Sequence, residues 1–118
     1  MMILVVDDDP RIRTSTAKLL ENEGYKVIAC DSGETALAAL DNIPDISLLV
    51  SDVLMPGMKG TELVTRATAH RPELAVLFMS GDVGDTPPED FAGHEVLSKP
   101  FTAAALLAAI ARANELHL

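Results

Sequence analysis

The sequence predicts an α/β domain built on a parallel sheet. Short apolar runs alternate with amphipathic segments along the whole chain, the signature of repeated strand–helix units. Two of those runs, Ile3-Leu4-Val5-Val6 and Leu48-Leu49-Val50, read as buried strands, and each is followed by acidic residues. The 118 residues are 48% hydrophobic but only 3% aromatic, enough for one domain whose core must be aliphatic.

The elements follow in order. Met2–Val6 is the first strand. Asp9 stands where a helix N-cap belongs, and Pro10 fills the first helical position, where its missing N–H costs nothing. The helix runs from Pro10 to about Glu23, presents Ile12, Thr16, Leu19 and Leu20 on one side, and stops at Gly24. Tyr25–Cys30 is the second strand. Asp31 or Ser32 caps a helix carrying Ala36, Leu37 and Leu40 that ends before Pro44. Ile46–Ser51 is the third strand. Gly60 or Thr61 opens a helix with Leu63, Val64 and Ala67 on its face, closing near His70 because Pro72 cannot continue it. Leu74–Met79 is the fourth strand and His94–Ser98 a short fifth. Thr102 caps a final Ala-rich helix with Leu106, Leu107 and Ile110 on its face.

The crossover over 81–93 holds three glycines and two consecutive prolines, barely the dozen residues a parallel connection needs. Thr86-Pro87-Pro88-Glu89 has capping-box spacing, so a helix of one or two turns is expected there. No repeat, linker or low-complexity tract interrupts the chain, and residues 1–118 read as a single domain.

Composition excludes several classes of function. The net charge is −9 and the nine basic residues are dispersed, which argues against nucleic acid or an anionic membrane as partner. Cys30 is the single cysteine, so neither a disulfide framework nor a thiolate metal site is available. There is no signal peptide, and no apolar run approaches the ~20 residues of a bilayer span. The expected location is the cytoplasm.

Ligands of open parallel sheets bind outside the carboxyl ends of the strands. Here the first strand delivers Asp7 and Asp8 to that edge, the third Asp52, the fourth Ser80 and the fifth Lys99. Three carboxylates beside one lysine call for a cation, and an all-oxygen donor set suits a hard one such as Mg²⁺, or Mn²⁺. A metal at Asp8 and Asp52 leaves room for phosphate, whose other oxygens Lys99 and the Ser80 hydroxyl can neutralise and hydrogen-bond. The cluster reads as a phosphoryl-accepting site with Asp52 as nucleophile.

With these motifs in view, the chain resembles the receiver domain of bacterial two-component response regulators. The resemblance spans essentially all 118 residues and rests on four blocks in order. These are Val5-Val6-Asp7-Asp8-Asp9-Pro10, Ser51-Asp52-Val53-Leu54-Met55-Pro56-Gly57-Met58-Lys59-Gly60, Met79-Ser80-Gly81 and Ser98-Lys99-Pro100-Phe101. It implies a flavodoxin-like doubly wound sheet of five parallel strands in the order 2-1-3-4-5, with helices on both faces and the fourth helix short or irregular.

The resemblance further implies that Asp52 takes a phosphoryl group from a histidine kinase or a histidine phosphotransfer protein and signals to a downstream protein. Mg²⁺ would be held by Asp8, Asp52 and the Leu54 backbone carbonyl, with Asp7 acting largely through water. Lys99 would pair with the phosphoryl group, Ser80 would shift toward it, and the Lys99–Pro100 bond would be cis. Such a protein is a phosphoacceptor with phosphotransfer and autodephosphorylation chemistry rather than a free-standing enzyme, monomeric or weakly dimeric. It is either a stand-alone regulator or the receiver of a hybrid histidine kinase.

Other residues read more plainly. Asp9 is a cap rather than a ligand. His70, His94 and His117 are scattered, lack metal-ligand spacing and read as surface or helix-end residues. Cys30 is a small core or edge residue, and Met55 and Met58 are packing groups beside the site.

Two features depart from the family pattern. Its frequent Tyr or Phe three residues before the lysine is Val96 here, so the aromatic switch is missing. With the short crossover, this predicts a readout that differs in detail from the usual output surface of fourth helix, fifth strand and fifth helix, and the signal is expected to emerge through mobility of residues 81–93. The positions that tune phosphoryl lifetime are Leu54, which cannot position a water, and Asp82, which can.

Two other function classes compete. Asp7-x-Asp9 superficially resembles the haloacid dehalogenase-type phosphatases, but Arg11 stands where their motif wants Thr or Val, and no late acidic motif is found. A pseudo-receiver that binds partners without phosphorylation would lack Asp52, the acidic pair or Lys99, and all are present. No residues remain within this sequence for a DNA-binding output.

Overall fold

In the computed structural model, residues 1–81 and 86–116 are described. The elements alternate as β1 (Met2–Val6), α1 (Pro10–Asn22), β2 (Lys26–Cys30), α2 (Gly33–Asn42), β3 (Ile46–Asp52), α3 (Gly60–His70) and β4 (Ala75–Ser80). A 3₁₀ turn (Pro88–Phe91), β5 (Glu95–Ser98) and α4 (Ala103–Leu116) complete them. All five strands are parallel, in the order β2-β1-β3-β4-β5.

Alternation along the strands divides the core into two layers. Leu4, Val6, Leu49, Val76 and Phe78 face α2 and α3 through Ala36, Leu40, Leu63, Val64 and Ala67. Ile3, Val5, Leu48, Val50, Leu77 and Met79 face α1 and α4 through Leu20, Leu106, Ala109, Ile110 and Ala113. Both faces are covered, which is why the strands read as continuous apolar runs. Each fully buried leucine or isoleucine here contributes about 1.5–3 kcal/mol relative to an exposed one.

The capping signals operate as their chemistry requires. The Asp9 carboxylate accepts from Arg11 N at 2.9 Å, Ser32 Oγ from Thr35 N at 3.2 Å, and Thr102 Oγ1 from Ala105 N at 3.1 Å. At the far end of the sheet, the Arg71 guanidinium donates to the carbonyls of Pro44 and Ile46, tying the end of α3 to the entry of β3.

The crossover holds the short helix expected, a single 3₁₀ turn, but not the expected cap. Thr86 does not cap a helix: Pro87 occupies the N-cap position with φ −57° and ψ 137°, without a side-chain cap, and only four residues follow as 3₁₀. The cause is steric. A residue preceding proline is pushed out of the α region, so Pro87, ahead of Pro88, cannot begin a helix. Ala92 then leaves in the left-handed region at φ 52°. Phe91 anchors this turn, buried against Phe78 with ring centroids 5.2 Å apart.

His94 is also not the surface residue expected. It is half-buried, its ring edge-to-face with Phe78 at 6.2 Å. His70 is exposed at the end of α3, and His117 and Asp82 lie outside the described residues. Cys30 is half-buried against the α2–α3 layer, where burial raises its thiol pKa. Met55 and Met58 are buried in the same layer. No helix among the described residues is long and apolar enough to cross a membrane.

Candidate functional site

Strand register assembles the site. Val6 pairs with Ser51, which puts Asp7 and Asp52 side by side one residue further along. Asp52 pairs with Met79, and Ser80 pairs with Ser98, so Ser80 and Lys99 reach the same edge. Backbone bonds seal the corner: Val53 N donates to Met79 O at 3.1 Å and Lys99 N to Ser80 O at 2.7 Å. The Lys99–Pro100 peptide is cis.

Asp7, Asp8 and Asp52 each offer a carboxylate oxygen within 4.8 Å of the others. Asp7 is wholly buried, Asp8 exposed, and Asp52 only 7% accessible as the last residue of β3. Lys99 Nζ lies 2.8 Å from Asp7 Oδ2 and 3.2 Å from Asp52 Oδ1. The other Asp7 oxygen accepts from Asp9 N at 3.0 Å, and Arg13 Nη1 donates to the Asp7 carbonyl at 2.8 Å. Asp52 Oδ1 also accepts from Val53 N at 2.9 Å. Ser80 is buried at the end of β4. Leu54, two residues beyond Asp52, leaves its side chain half exposed between the buried Val53 and Met55. Ile12, Ser15, Lys99, Pro100 and Phe101 line an adjoining cleft of about 350 Å³.

The electrostatics follow from this crowding. Burial, then the neighbouring Asp7 charge, push the Asp52 pKa above its ordinary 3.8, while Lys99 and Val53 N pull it back. For Lys99, burial works against the ammonium, but the hydrogen bond to Asp7 and the two carboxylate charges outweigh it, and its pKa rises above 10.5. Lys99 is thus firmly cationic and Asp52 remains strained as an anion. Three carboxylates against one ammonium leave two uncompensated negative charges in a mostly buried, all-oxygen pocket, a donor set suited to a small hard dication.

Sequence reasoning missed two contributions here. It had no signal for Arg13, whose guanidinium crosses from α1 to the Asp7 carbonyl, and it assigned Asp7 no direct partner, whereas Asp7 is the buried counter-ion of Lys99.

A doubly wound parallel sheet with this acid–lysine cluster at its carboxyl edge defines the class of signalling receiver domains. The chain belongs to the response regulator receiver family: residues 3–111 match the family model described as the response regulator receiver domain. It is 41% identical over 102 residues to the response regulator receiver protein CpdR of Brucella abortus, covering 84% of each chain. It is 38% identical over 111 residues to the transcriptional regulatory protein FixJ of Azorhizobium caulinodans, covering 90% of this chain but about half (51%) of FixJ.

Among solved structures it is similar to a receiver domain from Clostridium thermocellum, with TM-score 0.86, 28% identity and coverage of 98% of this chain and 94% of the other. It is also similar to TrrA of Thermotoga maritima, solved in complex with Mg²⁺-BeF, with TM-score 0.87, 25% identity and coverage of 95% and 97%. Family membership separates the chain from the dehalogenase-type phosphatases.

Proposed function

We propose that Asp52 is the phosphoryl acceptor of a two-component phosphorelay. The observation that carries this reading is the single cluster formed by Asp7, Asp8, Asp52 and Lys99 at the carboxyl edge of the sheet. An Asp52 carboxylate oxygen attacks the phosphorus of a phosphohistidine. The N–P bond breaks, the imidazole nitrogen keeps its electron pair, and Asp52 becomes an acyl phosphate. Lys99 holds Asp52 ionised against burial beforehand and is placed to pair with the phosphoryl oxygens afterwards. The buried Ser80 hydroxyl registers the new group at the end of β4.

Asp8, Asp52 and the Leu54 carbonyl would hold Mg²⁺ or Mn²⁺, with Asp7 acting through water. When bound, the metal supplies positive charge against the phosphoryl oxygens. The cleft beside Lys99, with apolar Ile12, Pro100 and Phe101, supports docking of a histidine kinase or phosphotransfer protein at this edge. The reaction places the protein inside the cell, where kinase domains and ATP reside.

The signal leaves through the short crossover. Val96 offers no rotating ring, whereas Phe91 sits on Phe78, two residues before Ser80 on the same strand. Titration with Mg²⁺ and beryllofluoride, followed by NMR and by hydrogen exchange of residues 86–93, tests both parts. Unchanged spectra would establish a phosphorylation-independent binding module instead. Changed site signals with unchanged exchange in the crossover would sink the proposed exit route alone.

A further inference from the structure

The backbone of the acceptor carries a constraint that its carboxylate chemistry does not explain. Gly60 opens α3 so close to β3 that a Cβ there would stand 1.9 Å from the Asp52 carbonyl oxygen, 2.9 Å from its carbon and 3.0 Å from Ser51 Oγ. No side-chain carbon tolerates that approach, so any other residue must displace either α3 or the Asp52 backbone by about an ångström.

Hydrogen bonds tie the same point. Gly60 N donates to Val53 O at 2.8 Å, and the wholly buried Ser51 Oγ donates to Asp52 O at 2.9 Å. Residues 53–59 are therefore an arch closed at its neck, with Met55 and Met58 buried beneath it and Gly57 turning at φ 77°. Gly33 is also tightly contacted, but its obstacle is the side chain of Met58, whose sulfur would lie 2.7 Å away on a flexible stem. At Gly60 the obstacle is the backbone of the acceptor itself.

We propose that Gly60 and Ser51 are positioning residues for the phosphoryl acceptor. By closing the neck they set where Asp52 and Leu54 stand relative to Asp8, and so set both divalent-metal affinity and phosphoryl transfer. The inference rests on the acceptor reading given above. A misplacement of about 1 Å costs on the order of 100-fold in rate. A group that orients metal ligands without touching the metal changes affinity by about 10–100-fold. A glycine needed only to start a helix would lower stability and leave the folded site alone.

The test uses the whole chain as wild type, Gly60→Ala, Ser51→Ala and Leu40→Ala. Leu40 is a buried α2 residue of the core, so its variant is destabilised through a cavity rather than through the neck. Mg²⁺ affinity is measured by NMR titration, phosphorylation by acetyl phosphate labelling, and folding by circular dichroism. Folded Gly60→Ala is expected to lose about 10-fold or more in Mg²⁺ affinity and about 100-fold in labelling rate. Ser51→Ala, which adds no atom, shifts both in the same direction by less, and Leu40→Ala keeps wild-type Mg²⁺ affinity.

Folded Gly60→Ala with wild-type affinity and labelling overturns the proposal. If Gly60→Ala does not fold, Ser51→Ala decides, and wild-type behaviour there overturns it equally. Wild-type protein that neither binds Mg²⁺ nor takes a phosphoryl group overturns the acceptor reading and the neck together. Variants identical to a competent wild type overturn the neck alone.

Discussion

Lys99→Met removes the ammonium that two carboxylates share while keeping a side chain of similar length. At the observed 2.8 and 3.2 Å, the two attractions are worth about 6 and about 5 kcal/mol at an effective dielectric of ~20. Recovering the hydration of the buried ammonium offsets several kcal/mol of that, and breaking a buried pair by removing one partner costs about 3–5 kcal/mol net. For a domain of this size that corresponds to a fall in Tm of roughly 10–20 °C.

The pH window follows from the direction of the Lys99 shift. Its folded pKa is raised, so its contribution is fully present below the ordinary 10.5 and is lost only as pH rises through the higher folded value. At pH 7 the pair acts at full strength. Thermal denaturation at pH 7 without divalent cations reads the cost directly. Saturating Mg²⁺ narrows the gap between variant and wild type, because positive charge is restored beside the stranded Asp7 and Asp52. A variant within about 1 kcal/mol of wild type at pH 7 without metal would refute this electrostatic reasoning.

Three further outcomes are expected. Asp52→Asn raises stability at pH 7 by about 1 kcal/mol, since the folded-state pKa of Asp52 is raised and its ionised form weakens the native state. That cost accrues as pH rises from the ordinary 3.8 through the raised value, so melts below pH 3.8 should no longer separate variant from wild type. Phe91→Ala removes the anchor of the 3₁₀ turn and costs about 3 kcal/mol, with hydrogen exchange rising first in β5; a uniform rise across the sheet would contradict the local role. Thr16 Oγ1 is buried with no hydrogen-bond partner among the described residues. Thr16→Val should therefore hold or raise stability by up to about 1 kcal/mol, and a loss in denaturant melts would show that the hydroxyl is satisfied.

The sequence made the strand ends legible because each is a local signal: an apolar run followed by Asp7, Asp52, Ser80 or Lys99. Asp9, Ser32 and Thr102 were legible for the same reason, a cap being a short-range hydrogen bond. Strand order came from resemblance, since periodicity does not say which strands are neighbours. What stayed hidden depends on contacts distant along the chain. Gly60 looks like any helix-opening glycine until β3 is laid against it, and the arms of Arg13 and Arg71 reach carbonyls on other elements. At Thr86 the short helix was legible but its cap was not, because Pro87, ahead of Pro88, is held out of the α region and takes the N-cap position itself. His94 reads as a surface group in the sequence because nothing in its neighbours announces Phe78.

Everything proposed for this site depends on Asp52 accepting the phosphoryl group. Incubation with a phosphorylated histidine donor or acetyl phosphate in the presence of Mg²⁺, followed by peptide mapping of the modified residue, tests it most directly. One hydroxylamine-labile phosphoryl group is expected on Asp52, abolished by Asp52→Asn and by chelating the metal. Phosphate on Asp7, or a protein that stays unmodified while the donor is active toward another receiver, would contradict it.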